Sequence, residues 1–457
     1  MDSPPAPESS TLPAVPPEDD AHWRPPAHVE RIRRRLRYRA NWPLRWTILA
    51  MFAALTAYVL IDSYLGYRRA YGDFTLHLIH RLGGAFFIVW IGYLGGSIGS
   101  FLNVVAYRLP RGMPLNGRSK CPYCNTQILA RHNLPVLGWL ALRGRCYTCR
   151  LPISPRYPIV EAFVAFCFLW VGWHEIYNNI ANLPLEQVAR RQSALAIFRP
   201  TPFTIGIGSF HLLGITCLIA LGLTRLDGQK LPSKLIGFAL VSALIPVLVW
   251  PRLLQVPATL TVPDGWNPQK ADLGDAVMFQ ICSLAMSVFL AKLIGIGLLP
   301  TANLKFDPQL PDSQRLLDLV AGLSLCGLLV GWQATLAVTP WALLIAWLIS
   351  HYSPGTRRFD IVGRLLLALA LAVTLQIAHW YGLSQLPVWP FPDHSQWSYV
   401  LPIAATMLLT RIPWPAPTSA PWHANSSSLA RAAANHPAAM LAESTGPDEA
   451  EVDESTH

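Results

Sequence analysis

The sequence predicts an all-α polytopic membrane protein of about eight to ten transmembrane helices, with a small four-cysteine zinc-binding insertion. Three observations support this fold class. Of the 457 residues, 52% are apolar and 14% are charged, whereas about a quarter of the residues of a soluble domain are charged. Several apolar runs reach the roughly 20 residues that a helix needs to cross the hydrocarbon core. Finally, four cysteines form two closely spaced pairs in one basic stretch.

Ten apolar segments qualify as membrane helices, and because three of them are short, eight or nine crossings is an equally acceptable count. Helices are expected because backbone groups in lipid must be satisfied within the segment or in a closed barrel. The alternating ten-residue pattern typical of barrel strands is absent from the sequence. The segments are 46–65, 83–106, 157–174, 204–223, 235–250, 275–299, 316–335, 337–350, 361–381 and 398–411.

The two ends of the chain differ from this apolar middle. Residues 1–40 are rich in Pro, Ser, Ala and acidic residues and end in a basic run, and residues 412–457 are again polar. Segments of this composition do not bury enough apolar surface to fold, so we expect disordered tails.

Basic residues set the expected orientation, because Lys and Arg accumulate in short cytoplasmic loops. Six arginines lie between residues 31 and 39, directly before the first helix. Two crossings later, residues 108–156 hold nine Lys or Arg and no Asp or Glu. Both regions are therefore expected in the cytoplasm. The net charge of +10 then follows from topology, and no nucleic-acid partner is expected.

The cysteine pairs predict a metal site. Cys121 and Cys124 form one Cys-x-x-Cys pair, and after 21 residues Cys146 and Cys149 form a second. This spacing is typical of tetrahedral zinc sites, and four thiolates leave no open coordination position, so a structural ion is expected. Disulfides are disfavoured in a cytoplasmic loop. The other cysteines lie in apolar runs, where packed small side chains are expected; they are Cys167, Cys217, Cys282 and Cys326.

The residues around these cysteines carry a longer pattern of about 65 residues. It comprises Gly96–Pro110 (GSIGSFLNVVAYRLP), the first cysteine pair, Asn133–Leu140 (NLPVLGWL), Leu142–Cys146 (LRGRC) and Pro152–Glu161 (PISPRYPIVE). In order and spacing it resembles the prepilin leader peptidases, which are also N-methyltransferases. In the same pattern Gly96, Gly99 and Ser100 predict a face of small residues for close helix packing, with Asn103 bonding across it.

The resemblance implies an aspartic endopeptidase of the bacterial inner membrane. Such an enzyme cleaves the leader of type IV prepilins or type II secretion pseudopilins at the cytoplasmic face, and members with the cysteine domain methylate the new N-terminus with S-adenosylmethionine. The expected partners are therefore these substrates and the lipid bilayer. The alternative is a non-proteolytic relative, a zinc-containing membrane scaffold that binds pilins.

The same resemblance divides the chain into regions. An extra transmembrane helix and loop occupy 41–80, and the family's N-terminal domain occupies 81–175, with its zinc loop at 108–156. A peptidase-like membrane region is expected at 200–350 and additional transmembrane helices at 351–411.

The first catalytic aspartate of the family stands seven residues before the proline of a Leu-Pro, after a membrane helix. Here Leu231 and Pro232 supply that dipeptide, and the catalytic position holds Arg225. Asp227, two residues later, is the candidate that remains. The alternative interpretation of Asp227 is a loop carboxylate paired with Arg225 or Lys230.

The second catalytic aspartate belongs to a Gly-x-Gly-Asp motif at the start of a helix. Gly295-Ile296-Gly297 is followed by Leu298 and lacks the acid. The candidate is therefore Asp312, one residue out of register before a Leu-Leu pair. A helix N-cap is the alternative role for Asp312. To share a proton, the two candidates must meet at the cytoplasmic ends of their helices.

Overall fold

The computed structural model describes residues 73–415, apart from 118, 122, 123, 125 and 185–200, together with residues 46, 49, 50, 52–65 and 68. The predicted tails lie outside the described residues, except for 412–415. The chain separates into two units, Met1–Phe52 and Ala53–His457. The helical bundle lies in the second unit.

The described part of the chain is helical, with isolated β-bridges and no named strand, so the predicted fold class is confirmed. Every predicted apolar segment coincides with a helix, and one further short helix, α3, lies in the cysteine region. The helices are α1 Phe52–Leu65, α2 Phe74–Arg108, α3 Leu137–Ala141, α4 Arg156–Val171 with a π-helical turn Gly172–Tyr177, α5 Pro202–Leu226, α6 Ser233–Val249, α7 Leu273–Leu298, α8 Pro311–Tyr352, α9 Ile361–Ser384 and α10 Trp397–Arg411.

Within the described ranges, six helices are long and apolar enough to cross a membrane, namely α2, α4 with its π-turn, α5, α7, α8 and α9. The helices α1 and α6 are apolar but shorter. Single 3₁₀ turns connect some of these helices. They lie at Leu109–Arg111, Ala130–His132, Pro251–Leu253, Pro268–Lys270 and Pro354–Thr356.

Helix α8 is a hairpin of two antiparallel arms. A straight helix of its 42 residues would be about 63 Å long, yet Cys326 Sγ lies 3.6 Å from Thr335 Oγ1. The chain reverses at Gly331, whose φ of 88° and ψ of 165° are non-helical. The two arms correspond to the separately predicted segments 316–335 and 337–350. They account for two crossings in one continuous apolar sequence.

Replacing Gly331 by alanine is expected to destabilise the protein by about 1–3 kcal/mol, because the φ and ψ of Gly331 are adopted almost only by glycine. The added Cβ would also lie 2.8 Å from the ring of Phe279. Thermal unfolding in detergent measures the loss. Gly237→Ala is the matched control, since nothing lies within 4 Å of a Cβ at this helical position. An unchanged midpoint for Gly331→Ala would contradict the hairpin geometry.

A close helix crossing joins α2 and α4 in antiparallel orientation. A Cβ on Gly95 would lie 2.7 Å from Phe168 Cβ, and one on Gly99 would lie 2.8 Å from the Cα of Glu161. Small residues therefore do line this interface, as expected, but their register is Gly95 and Gly99. The expectation for Asn103 is wrong in the structure, since its amide donates to Gly99 O on the same helix at 3.2 Å.

The two ends of the described helix bundle carry different polar contacts. At one end, the termini of α2 and α4 carry the cysteine region, and Arg156 at the start of α4 pairs with Asp227 at the end of α5. At the opposite end, Glu175 in the π-turn hydrogen-bonds His211 of α5 at 2.6 Å, and both side chains are completely buried. This pair ties α4 to α5 away from the cysteine end.

Candidate metal centre and acidic cluster

The four predicted cysteines form one cluster. Cys121 Sγ lies 3.8 Å from Cys149 Sγ, Cys124 Sγ lies 3.9 Å from Cys146 Sγ, and all four sulfurs lie within 4.8 Å of one another. A tetrahedral zinc ion with bonds of about 2.3 Å separates its sulfurs by about 3.8 Å. The spacing of the thiols therefore fits a zinc ion, and the geometry brings together the residues that the sequence predicted.

Each cysteine pair sits on a tight turn of the same design. Cys121 N–H donates to Thr126 O at 3.0 Å, and Cys146 N–H donates to Leu151 O at 2.9 Å, the same separation of five residues. In the second turn Thr148 N–H also points at Cys146 Sγ at 3.4 Å. Backbone N–H groups directed at sulfur stabilise thiolates. Backbone hydrogen bonds therefore contribute to the metal-binding geometry of the loop, in addition to the four cysteines.

The thiols differ in their acidity. Burial raises the pKa of Cys149 to about 12. Burial acts in the same direction at Cys124, but hydrogen bonds from Thr126 and the neighbouring cysteines outweigh it and lower the pKa to about 7. Metal ligation requires thiolates, so binding releases protons and weakens as the pH falls.

Asp227, the first predicted catalytic residue, caps the C-terminus of α5. Its carboxylate forms an ion pair with the guanidinium of Arg156. The sequence had suggested Arg225 or Lys230 as the partner of Asp227, and neither of them forms this ion pair. The pairing links α5 to the helix that follows the cysteine region.

Asp312, the second predicted catalytic residue, lies in the first turn of α8. It accepts hydrogen bonds from Arg315 at 2.8 Å and from the hydroxyl of Thr301. The N-cap position belongs to Leu310, so Asp312 does not fill the alternative capping role. The described contacts of Asp312 and Asp227 do not include each other.

Between these two aspartates lies a buried cluster centred on Arg225. Its Nη1 lies 3.2 Å from Asp318 Oδ2, and its Nη2 lies 3.1 Å from Asp360 Oδ2. Arg315 adds a second contact to Asp360 at 2.8 Å. Arg225 is 5% exposed. The arginine that occupies the expected catalytic position therefore forms ion pairs with two buried carboxylates.

Asp360 is the most fully bonded member of this cluster. Besides the two arginines, its carboxylate accepts the N–H groups of Val362 at 2.9 Å and Gly363 at 3.4 Å at the start of α9. Sequence reasoning missed this residue. Its signal was an aspartate directly before an apolar run, which is a common helix N-cap pattern. Asp318 is less well aligned, because its Oδ2 faces Arg225 without satisfying hydrogen-bond geometry.

Comparison with known proteins identifies one region of the chain. Residues 93–175 match the family model described as Bacterial Peptidase A24 N-terminal domain. The chain is 45% identical over 95 residues to a prepilin leader peptidase/N-methyltransferase of Myxococcus xanthus, covering 20% of this chain and 28% of the relative. It is 32% identical over 174 residues to one of Legionella pneumophila, covering 33% and 51%.

A third relative, the type 4 prepilin-like proteins leader peptide-processing enzyme of Escherichia coli O78:H11, is 42% identical over 137 residues, covering 25% of this chain and 51% of the relative. The chain thus spans between about a quarter and a half of the length of these curated relatives. No solved structure matches the chain. The region matched by the family model contains the C-terminal part of α2, the cysteine cluster and α4.

Proposed function

We propose that this membrane protein binds type IV prepilins or pseudopilins without cleaving them. The chain carries the N-terminal domain of the bacterial A24 peptidases, and in this domain it is a relative of the prepilin leader peptidase/N-methyltransferases. In this proposal the four-cysteine domain lies in the cytoplasm of a bacterium, an orientation that its basic residues support, and is the part that recognises the substrate. We infer the absence of cleavage from the ion pairs that Arg225 forms with Asp318 and Asp360.

An aspartic peptidase needs two neighbouring carboxyl groups that exchange one proton, so that one activates water while the other protonates the leaving amide. Arg225 stands where the resemblance places the first of these groups, and a guanidinium does not give up its proton at neutral pH. Asp360 has its oxygens occupied by two arginines and two backbone N–H groups. These contacts occupy both carboxylate oxygens of Asp360, so neither oxygen is free to face a substrate.

The second candidate function is cleavage by Asp227 and Asp312. It is favoured by their position, since a chain of contacts through Arg225, Arg315 and Asp360 joins the helix ends that carry both residues. Each aspartate is already paired with an arginine. Substrate binding would have to release both pairs before the carboxyl groups meet.

A cleavage assay in membranes distinguishes the two functions. The chain is co-expressed with a prepilin encoded in the same genome, and processing is followed as a shift in electrophoretic mobility. We expect the prepilin to stay uncut and to co-purify with the chain, while the Myxococcus xanthus relative provides the positive control for cleavage. A parallel incubation with radiolabelled S-adenosylmethionine tests methyl transfer to a processed pilin.

Cleavage by the unmodified chain, lost at least tenfold in both Asp227→Asn and Asp312→Asn, would establish the second candidate. Asp264→Asn is the matched control, because Asp264 lies in the connection between α6 and α7, outside the acidic cluster. If the prepilin does not co-purify with a chain whose zinc site is intact, the proposed binding of the prepilin is contradicted.

A further inference from the structure

The cysteine region contains a segment, Leu134–Leu140, that packs beside the membrane helices rather than beyond their ends. A Cβ built on Gly96 would lie 2.9 Å from Pro135 Cβ. Gly96 is twelve residues before the end of α2 at Arg108, which corresponds to about 18 Å along the helix axis. Pro135 therefore lies far along the apolar part of α2.

A contact with α4 also places the segment inside the end of that helix, at a smaller distance from the end than on α2. Val136 N–H donates to Glu161 Oε2 at 2.6 Å. Glu161 is five residues inside α4, whose first residue is Arg156, so it lies roughly 7 Å along the axis from that end. The two helices thus independently place the segment below the level of the arginines that mark their ends.

The backbone of the segment is satisfied at this depth. Val136 has a φ of 58° and is not helical, and its N–H is the one that Glu161 accepts. Gly138 N–H donates to Leu134 O at 2.8 Å, and Leu140 N–H donates to Val136 O at 3.1 Å. Non-helical backbone is tolerated at membrane depth only where protein groups satisfy it. The buried carboxylate of Glu161 meets this requirement.

The outward side of the segment is apolar. Leu134, Leu137 and Leu140 follow a three-residue spacing and are 43%, 47% and 46% exposed. Three leucines exposed to water on one short element would be costly, whereas against acyl chains they lose nothing. The surrounding block of nine Lys or Arg without an acid complements anionic lipid headgroups at the same surface.

We propose that Leu134–Leu140 is a re-entrant element, inserted into the leaflet on the cysteine side, with the three leucines in contact with lipid acyl chains. The element holds the zinc domain down on the membrane surface. Its occupant is lipid and not a protein partner, since the depth along α2 and α4 is fixed by the chain itself.

The test measures the depth of position 137 in the full chain. p-Acetylphenylalanine replaces Leu137 and is coupled to a nitroxide, which leaves the cysteines untouched, and the protein is reconstituted into phosphatidylethanolamine and phosphatidylglycerol vesicles. Relaxation by oxygen, which is enriched in the bilayer, is compared with relaxation by an aqueous nickel chelate. The same label in place of Asn116, an exposed loop residue, is the matched control.

We expect the ratio of oxygen to nickel accessibility to be at least about tenfold higher at position 137 than at position 116. A second label, in place of Leu140, covers the case in which the first variant does not fold. Nickel accessibility at 137 and 140 equal to that at 116 overturns the proposal. Equal nickel accessibility is also the result expected if the leucines face water until a prepilin helix covers them, because the vesicles contain no prepilin. In that case too the proposal is overturned.

Discussion

Replacement of Cys146 by serine is expected to lower the bound zinc from about one ion per chain to roughly a tenth of that or less, and to unfold the cysteine domain. The loss is large because the binding energy of a structural zinc site is also folding energy. The domain offers little else, since its described residues form short turns, two isolated β-bridges and a five-residue helix. Elemental analysis of the purified chain in detergent measures the ion.

Cys282→Ser is the matched control, because Cys282 is a half-buried thiol in α7, away from the cluster, and this variant should keep its zinc. Limited proteolysis gives an independent measurement, with new cleavage between residues 109 and 155 expected only in the Cys146 variant. Full zinc occupancy in Cys146→Ser, or no zinc in the unmodified chain, would show that the four thiols are not a metal site.

Replacement of Arg225 by leucine is expected to lower the free energy of unfolding by about 3–5 kcal/mol, because it leaves the buried carboxylate of Asp318 without a counter-charge and Asp360 with one arginine in place of two. Asp318 and Asp360 are each 3% exposed in their side chains, so water does not replace the lost guanidinium. Thermal unfolding in detergent, or the urea concentration at half-unfolding, measures the effect.

Two further variants separate charge from packing. Arg225→Leu combined with Asp318→Leu removes a charge of each sign and should recover a large part of the loss, since Arg315 still neutralises Asp360. Arg252→Leu, at an exposed arginine after α6, should change stability little. If Arg225→Leu unfolds at the same midpoint as the unmodified chain, the cluster contributes nothing to the fold.

The membrane helices were predictable because the signal is physical and local. Each crossing needs a long apolar run, and the sequence contains one at each membrane helix that the structure describes. The hairpin in α8 was also visible as two adjacent segments, although its turn at Gly331 contains no run of polar residues. The register of the α2–α4 contact was not predictable, because Gly95, Gly96 and Gly99 are equally small and only the packing distinguishes them.

The site was predictable to the extent that its residues are neighbours in sequence. The cysteine pairs have a fixed spacing that determines their geometry, and they meet as expected. The acidic cluster is assembled from α5, α8 and α9, so Arg225 and Asp360 are 135 residues apart in sequence. No pattern along the chain reveals which arginine meets which aspartate across that distance.

The cysteine domain lies within the connection between α2 and α4. The 47 residues from Leu109 to Pro155 connect two helices that are already held together by the antiparallel contacts at Gly95 and Gly99. An ordinary connection between such helices needs about two to eight residues, and the entropy of closing a loop grows only slowly with its length. The cysteine domain is therefore an enlarged connection, and a chain in which a few residues joined α2 to α4 would keep the same helix crossing.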